Sequence, residues 1–205
     1  MFELENDMTL PPLYGLVLNG GKSRRMQQCK SMLRYHGKTQ LAHAFELLFL
    51  YCEKVFISNR KDQVNLHAEF PQIHDMYQNL GPLSGILSAM SVFPEVAWLV
   101  LANDLPHVDE KAIRRLIQHR SPHKAAIAYR NPQKNFPEPL CTIYEPDIKS
   151  RLLKFLDSGD RYFRIVLENS DVQLLEPSND FTLTNVNYPE EYKRVVEFLH
   201  IAQSC

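Results

Sequence analysis

Apolar residues fall along this chain in two rhythms that alternate. Some are short unbroken runs; others recur every three or four positions. Residues 14–19 (YGLVLN) form a run that ends in Gly20-Gly21, the pattern of a buried strand leaving into a loop. Residues 40–52 carry Leu41, Ala44, Phe45, Leu48, Phe49 and Cys52 at helical spacing, and residues 54–58 (KVFIS) predict a second strand. A glycine-led loop over residues 81–93 runs into a helix through Leu83, Ile86, Leu87 and Met90. Residues 97–102 (AWLVLA) are apolar throughout, as a strand buried on both faces is. An amphipathic helix spans residues 109–119, with Asp109 as its N-cap. Strands over residues 124–129 and 140–144 come next, then helices over 147–156 and 162–168, a strand over 172–175 and a last helix over 189–202. None of the thirteen prolines falls inside a predicted helix interior.

This alternation predicts an α/β protein, a Rossmann-like three-layer sandwich whose sheet is mostly parallel, with a mixed C-terminal portion. No repeat or linker interrupts it, so one domain over residues 1–205 is expected, with residues 1–12 a flexible N-terminus. Ligands in such sheets sit beyond the carboxyl ends of the strands. The residues just after Asn19, Ala102 and Tyr144 are therefore the candidates for a site.

Composition narrows the classes of function. The 205 residues carry 23 Lys and Arg against 24 Asp and Glu, so no global basic surplus draws the chain to nucleic acid or an anionic membrane. The longest apolar run, residues 96–102, has seven residues, far short of a membrane span. The N-terminus is acidic and lacks a secretory n-region, and the four cysteines lie far apart. A cytoplasmic protein with reduced thiols is expected.

Charge is nevertheless uneven. Between Asp7 and Glu46 there is no carboxylate, while Lys22, Arg24, Arg25, Lys30, Arg34 and Lys38 all fall there, directly after the first strand and its glycine pair. Glycine lets backbone N–H groups converge on an anion and the cations supply counter-charge, which is the chemistry of a polyphosphate site. Gly20-Gly21-Lys22-Ser23 resembles the end of a P-loop, but the loop's first glycine would be residue 16, which is Leu16. The P-loop reading survives only as an alternative, through the apolar strand and acid of residues 98–104 (WLVLAND).

A second signature fits better. Leu18-Asn19-Gly20-Gly21-Lys22-Ser23-Arg24-Arg25-Met26, followed by Lys30, resembles the L-x-G-G-x-S-x-R-M-G-x-D-K element of nucleotidyltransferases, most closely the MobA-like molybdenum cofactor guanylyltransferases. Gly81-Pro82-Leu83-Ser84-Gly85 is similar to that family's G-P-L-x-G. Residues 101–106 (LANDLP) resemble its apolar strand and Asp-x-Pro element, and Asn185-Val186-Asn187 before Pro189-Glu190-Glu191 resembles its N-x-N-x-P-E-[DE] ending. The chain departs from the pattern at Gln27 (usually Gly), Cys29 (Asp), Asn19 (a small residue), Asn103 (often Cys) and Tyr188 (a capping Thr).

The resemblance implies Mg²⁺-dependent transfer of GMP from GTP to molybdopterin with release of pyrophosphate. It implies Arg25, Lys30 and Asp104 as catalytic residues and Asp104 with Asn187 as metal ligands. Leu18, Asn19, Gly20, Gly21, Lys30, Asp75, Gly81, Pro82 and Asp104 are the implied nucleotide contacts, and Glu138 an acceptor contact. Transient contact with molybdenum-insertion enzymes and apo-molybdoenzymes is implied as well. Another phosphorylated acceptor, such as a sugar phosphate, and a non-catalytic nucleotide-binding role are the alternatives. Trp98 reads as core and His107 as a loop residue.

Overall fold

The computed structural model describes residues 9–19, 30–35, 37–60, 68–158 and 162–203, with side chains of the last helix through Glu197. Among the described residues seven strands form one sheet: β1 (Leu13–Leu18), β2 (Lys54–Asn59), β3 (Gln72–His74), β4 (Ala97–Ala102), β5 (Ala126–Arg130), β6 (Pro137–Tyr144) and β7 (Val172–Leu175). Their order is β3-β2-β1-β4-β6-β5-β7. Every neighbouring pair is parallel except the two that involve β6. The helices are α1 (Gln40–Phe49), α2 (Pro82–Val92), α3 (Glu110–Gln118), α4 (Lys149–Ser158), α5 (Arg164–Glu168) and α6 (Pro189–Gln203).

Both faces of the sheet are covered, which explains why β1 and β4 are buried at every position. On one face Leu41, Ala44, Leu47 and Leu48 of α1 and Ala112, Ile113 and Leu116 of α3 pack against Val17, Leu99, Leu101 and Ile143. On the other, Leu83, Ile86, Leu87 and Met90 of α2 join Leu152 and Phe155 of α4 over Leu16, Trp98 and Val100. The three-layer sandwich expected from the alternation is the observed fold. Trp98 lies in its core, and Asp109 caps α3 by accepting from the Ala112 amide at 2.9 Å.

The departures from expectation have local causes. Strand β3 is absent from the pattern-based expectation, because three edge residues leave no periodicity to read. Strand β6 begins at Pro137 instead of residue 140. Its first residues extend past β4, which pairs only from Leu101↔Cys141 onward, so two missing proline N–H groups cost no bond on that side. Helix α5 is shorter than the predicted 162–168, and a 3-10 turn (Pro146–Ile148) precedes α4. The most consequential correction is the direction of β6. Because it runs antiparallel to β4, Tyr144 ends at the edge opposite Ala102, pairing with Trp98. The start of β6, not the residues after Tyr144, reaches the edge where β1 and β4 terminate.

At that opposite edge, the Arg120 guanidinium donates through Nε and Nη2 to both oxygens of Glu145, at 2.9 and 3.0 Å, and through Nη2 to the Pro11 carbonyl at 2.9 Å. The two side chains are 7% and 6% exposed. Breaking a buried ion pair from one side costs about 3–5 kcal/mol, because it strands the other charge. Arg120→Ala is therefore expected to lower the melting temperature by roughly 10 °C, whereas Arg120→Met with Glu145→Leu costs much less; differential scanning calorimetry of the two variants distinguishes them.

Candidate active site

β1 and β4 are parallel neighbours whose last registered pair is Leu18↔Ala102, so the segments beyond them leave the sheet side by side. The Asn103 amide still donates to the Leu18 carbonyl at 3.3 Å, and the next residue is Asp104. Lys30 opens a 3-10 turn (Lys30–Met32) and extends its ammonium to Asp104 Oδ2 at 3.1 Å and to Asn187 Oδ1 at 2.7 Å. Asn185 Nδ2 donates to the other Asp104 oxygen at 3.0 Å, and the Val186 amide donates to the Asp104 carbonyl at 2.9 Å. Two hard oxygens, one anionic and one neutral, thus converge on a single positive charge.

A small apolar cluster holds these distant pieces together. Leu33 and Tyr35, just after Lys30, pack with Val186 and Val195, and Tyr192 and Val196 of α6 close over them. The Tyr35 and Tyr192 rings meet edge to face at 5.1 Å. Burial, reinforced by Tyr192 and the nearby acids, pushes the Tyr35 hydroxyl far above its ordinary value, so it stays protonated. The capping hydroxyl lost at Tyr188 is compensated from inside the helix: Glu191 accepts from the Asn187 amide at 2.7 Å and the Tyr188 amide at 3.0 Å. This is the reach-back half of a capping box, and it fixes the backbone that carries Asn187.

A cleft opens beside Asp104. Leu18, Ala102, Asn103 and Asp104 form one side and Gly81, Pro82 and Asp75 the other, with Leu140 of β6 at its margin. The Asp75 backbone is tied to β2 by its amide, which donates to the Asn59 carbonyl at 2.9 Å, and Ser58 Oγ donates to Asp75 Oδ1 at 2.8 Å. Burial raises the Asp75 pKa above the usual carboxylate value, opposed by the hydroxyls of Ser58 and Ser84 and the charges of Arg60 and His74. Gly81 precedes α2 with φ +58°, a backbone state that suits glycine, and Pro82 starts the helix. The Met76 amide donates to Ser88 Oγ at 2.8 Å, and Ser84 Oγ donates to the Tyr77 carbonyl, so the segment after Asp75 is strapped to α2.

The profile of the MobA-like NTP transferase domain matches residues 15–174, more than three-quarters of the chain. The chain belongs to the MobA-like NTP transferase family. Over 191 residues it is 37% identical to a molybdenum cofactor biosynthesis bifunctional protein of Synechocystis, covering 92% of this chain and 55% of that one. It is 26% identical over 188 residues to a probable molybdenum cofactor guanylyltransferase of Bacillus cereus, covering 87% of this chain and 92% of that one. This chain therefore spans about half the length of the first relative and nearly all of the second. The crystal structure of molybdopterin-guanine dinucleotide biosynthesis protein A from Archaeoglobus fulgidus shares the fold, with TM-score 0.75 and 22% identity over 94% of this chain and all of that one.

Of the residues singled out by the MobA-like signature, Lys30, Asp104 and Asn187 meet directly. Leu18, Asp75, Gly81 and Pro82 line the cleft with Asp104. Gly20, Gly21 and Arg25, with the departures Gln27 and Cys29, lie outside the described residues. The Asn19 side chain is engaged laterally, donating to Asn59 Oδ1 at 2.7 Å and accepting from Asn103 Nδ2 at 3.0 Å. Two of the sequence departures, Asn19 and Asn103, are thus partners of one another. Glu138 is 3% exposed and committed to its own turn, accepting from Asn131 Nδ2 at 2.9 Å and the Leu140 amide at 3.2 Å; burial raises its pKa. His107 lies on the loop after Asp104 and lines a cavity of about 760 Å³ between α1 and the start of α3. Sequence reasoning did not single out Ser58 or Leu140. Ser58 had one signal, its place at the end of a parallel strand; Leu140 had none, because it reaches the site only through the reversal of β6.

Proposed function

We propose that this chain transfers GMP from GTP to the terminal phosphate of molybdopterin, forming a guanine dinucleotide and releasing pyrophosphate. The observation that carries the reading is the convergence of Lys30, Asp104 and Asn187 at one end of a cleft whose other end presents Asp75. A phosphate oxygen of the acceptor attacks the α-phosphorus, the α–β bridging P–O bond breaks, and pyrophosphate leaves with that electron pair. The acceptor phosphate is already ionised at neutral pH, so no strong general base is needed. Positioning and charge stabilisation supply the acceleration.

Lys30 offsets negative charge on the phosphates, and Arg25 is assigned the same task. The glycine pair Gly20-Gly21 and the backbone at Leu18 and Asn19 are assigned to cradle the nucleotide. Asp104 and Asn187 would hold Mg²⁺: their oxygens already face a cation, and Mg²⁺ is commonly held by one or two protein oxygens with substrate phosphates and water completing its shell. Bound there, the ion would neutralise charge on the phosphates of the nucleotide. Among the described residues no group of three His, Cys, Asp or Glu could hold a metal ion. Residues 1–205 act as one transferase domain, because Asn185 and Asn187 complete a site begun by Lys30 and Asp104. No helix among the described residues is long and apolar enough to cross a membrane, and delivery of the product rests on transient contacts with molybdenum-insertion enzymes and apo-molybdoenzymes.

Asp75 selects the base. An ionised carboxylate accepts from both N1–H and the 2-amino group of guanine, a bidentate match worth about 1–3 kcal/mol against the wrong base. Protonation removes that match. Because burial raises the Asp75 pKa, GTP affinity is expected to fall as pH drops, and to begin falling at a higher pH than it would for an unperturbed aspartate. Asp75→Asn should bind GTP more weakly and lose that pH dependence in titration calorimetry; a variant that retains the wild-type profile removes Asp75 from base recognition. The test of the whole reading is incubation with Mg²⁺, molybdopterin and each NTP in turn, with pyrophosphate and dinucleotide measured. Product with GTP alone is expected. Turnover only with a sugar phosphate, or nucleotide binding without pyrophosphate release, overturns it.

A further inference from the structure

Four side-chain amides run in a line across the site edge of the sheet. Asn103 Nδ2, after β4, donates to Asn19 Oδ1 at 3.0 Å; Asn19 Nδ2, after β1, donates to Asn59 Oδ1 at 2.7 Å; Asn59 Nδ2, at the end of β2, donates to Gln72 Oε1 of β3 at 3.0 Å. The three asparagines are buried and Gln72, at the end of the line, is half-buried, and each amide bonds its neighbour. It begins where the sheet's own ladder stops. The last registered partners of Leu18 are Ser58 and Ala102, and the Asn19 and Asn103 amides carry the backbone pairing one residue further, at 3.2 and 3.3 Å. At these strand ends the side-chain amides add a second set of bonds between the ends.

The two halves of the nucleotide cleft hang from this line. Asn103 is followed directly by Asp104, the phosphate end. Asn59 accepts the Asp75 amide on its carbonyl, and its neighbour Ser58 donates to the Asp75 carboxylate, the base end. We propose that the Asn103–Asn19–Asn59–Gln72 amide line is a positioning device that sets the spacing between Asp75 and Asp104, so that one guanine nucleotide engages both ends at once. This rests on the reading of the cleft as a GTP site. Asn19, at the centre, acts as a positioning residue through its neighbours and not by contacting the base.

A spacer of this kind has a signature that a merely structural amide lacks. A ligand that spans both ends gains from their fixed separation, whereas each half alone does not. In Asn19→Ala the Kd for Mg·GTP is expected to rise about tenfold, while the Kd values for guanosine alone and for Mg·tripolyphosphate alone stay within about twofold, measured by calorimetry and ligand-observed NMR. Asn103→Ala breaks the same line, so the double variant should lose little more than either single one. If Asn19→Ala fails to fold, Asn103→Ala carries the same whole-versus-halves expectation. Equal weakening of all three ligands, unchanged Mg·GTP affinity, additive losses or no Mg·GTP binding by the wild type would each overturn the spacer. Mg·GTP binding by the wild type without pyrophosphate release would instead overturn the transferase reading, and the spacer would then stand or fall by the affinity pattern of the variants.

Discussion

Asp104→Ala is expected to lower guanylyl transfer by roughly 10²–10³-fold, the loss seen when a preorganised electrostatic group is removed from a transition state. The side chain does three things at once. Its Oδ2 receives the Lys30 ammonium, its Oδ1 receives Asn185, and its carboxylate is the single anionic oxygen donor in the set proposed for Mg²⁺. Truncation removes the charge and lets Lys30 swing toward Asn187, so the phosphates lose both their fixed cation and their metal anchor. The fold should survive, because the backbone carbonyl of residue 104 keeps its bond from Val186. The comparison that isolates the effect is pyrophosphate release by wild type and Asp104→Ala at matched circular dichroism. Full activity in the variant would remove Asp104 from the reaction.

Gly85→Ala tests the other end of the cleft, and two opposing effects predict its sign. In an exposed helix, alanine for glycine stabilises by about 1 kcal/mol. Here a Cβ at residue 85 would lie 2.2 Å from Ser58 Oγ, 2.9 Å from Ser58 Cβ and 3.0 Å from Leu18 Cδ2. The helix cannot retreat, since Leu83, Ile86 and Leu87 are packed against the sheet. Overpacking of this kind costs about 1–3 kcal/mol, which offsets or exceeds the propensity gain. Ser58 must swing, and its bond to Asp75 is lost with it. Gly85→Ala is therefore expected to weaken GTP binding by at least tenfold, a factor worth about 1.4 kcal/mol, with no gain in melting temperature. Adding Ser58→Ala deletes the hydroxyl at 2.2 Å but keeps the Cβ at 2.9 Å, so it should recover part of the stability without recovering affinity. An unaltered GTP affinity in Gly85→Ala would detach the Ser58–Asp75 pair from the nucleotide.

Much of the fold was legible because its signals are local. The run at residues 97–102 and the spacing of Leu83, Ile86, Leu87 and Met90 reflect burial on two faces or on one, and periodicity reports that directly. Strand β3 and the early start of β6 were not legible, because an edge strand of three residues and a proline-bearing strand end carry no such period. In the site, the order of motifs pointed to Lys30, Asp104 and Asn187, but it did not contain the contact between Lys30 and Asn187, 157 positions apart.

What the sequence by itself determined is the alternation of strands and helices, the cationic segment after the first strand and the identity of the groups able to meet a polyphosphate. What only the tertiary structure decided is which of them meet. The reversal of β6 brought Leu140 to the cleft, the cluster around Tyr35 and Val195 carried Asn187 to Lys30, and the strand ends placed Asn103 against Asn19. The reason is physical: a residue's local pattern records how it is buried, while its partner across the chain is fixed only when the sheet has closed and its strand directions are set.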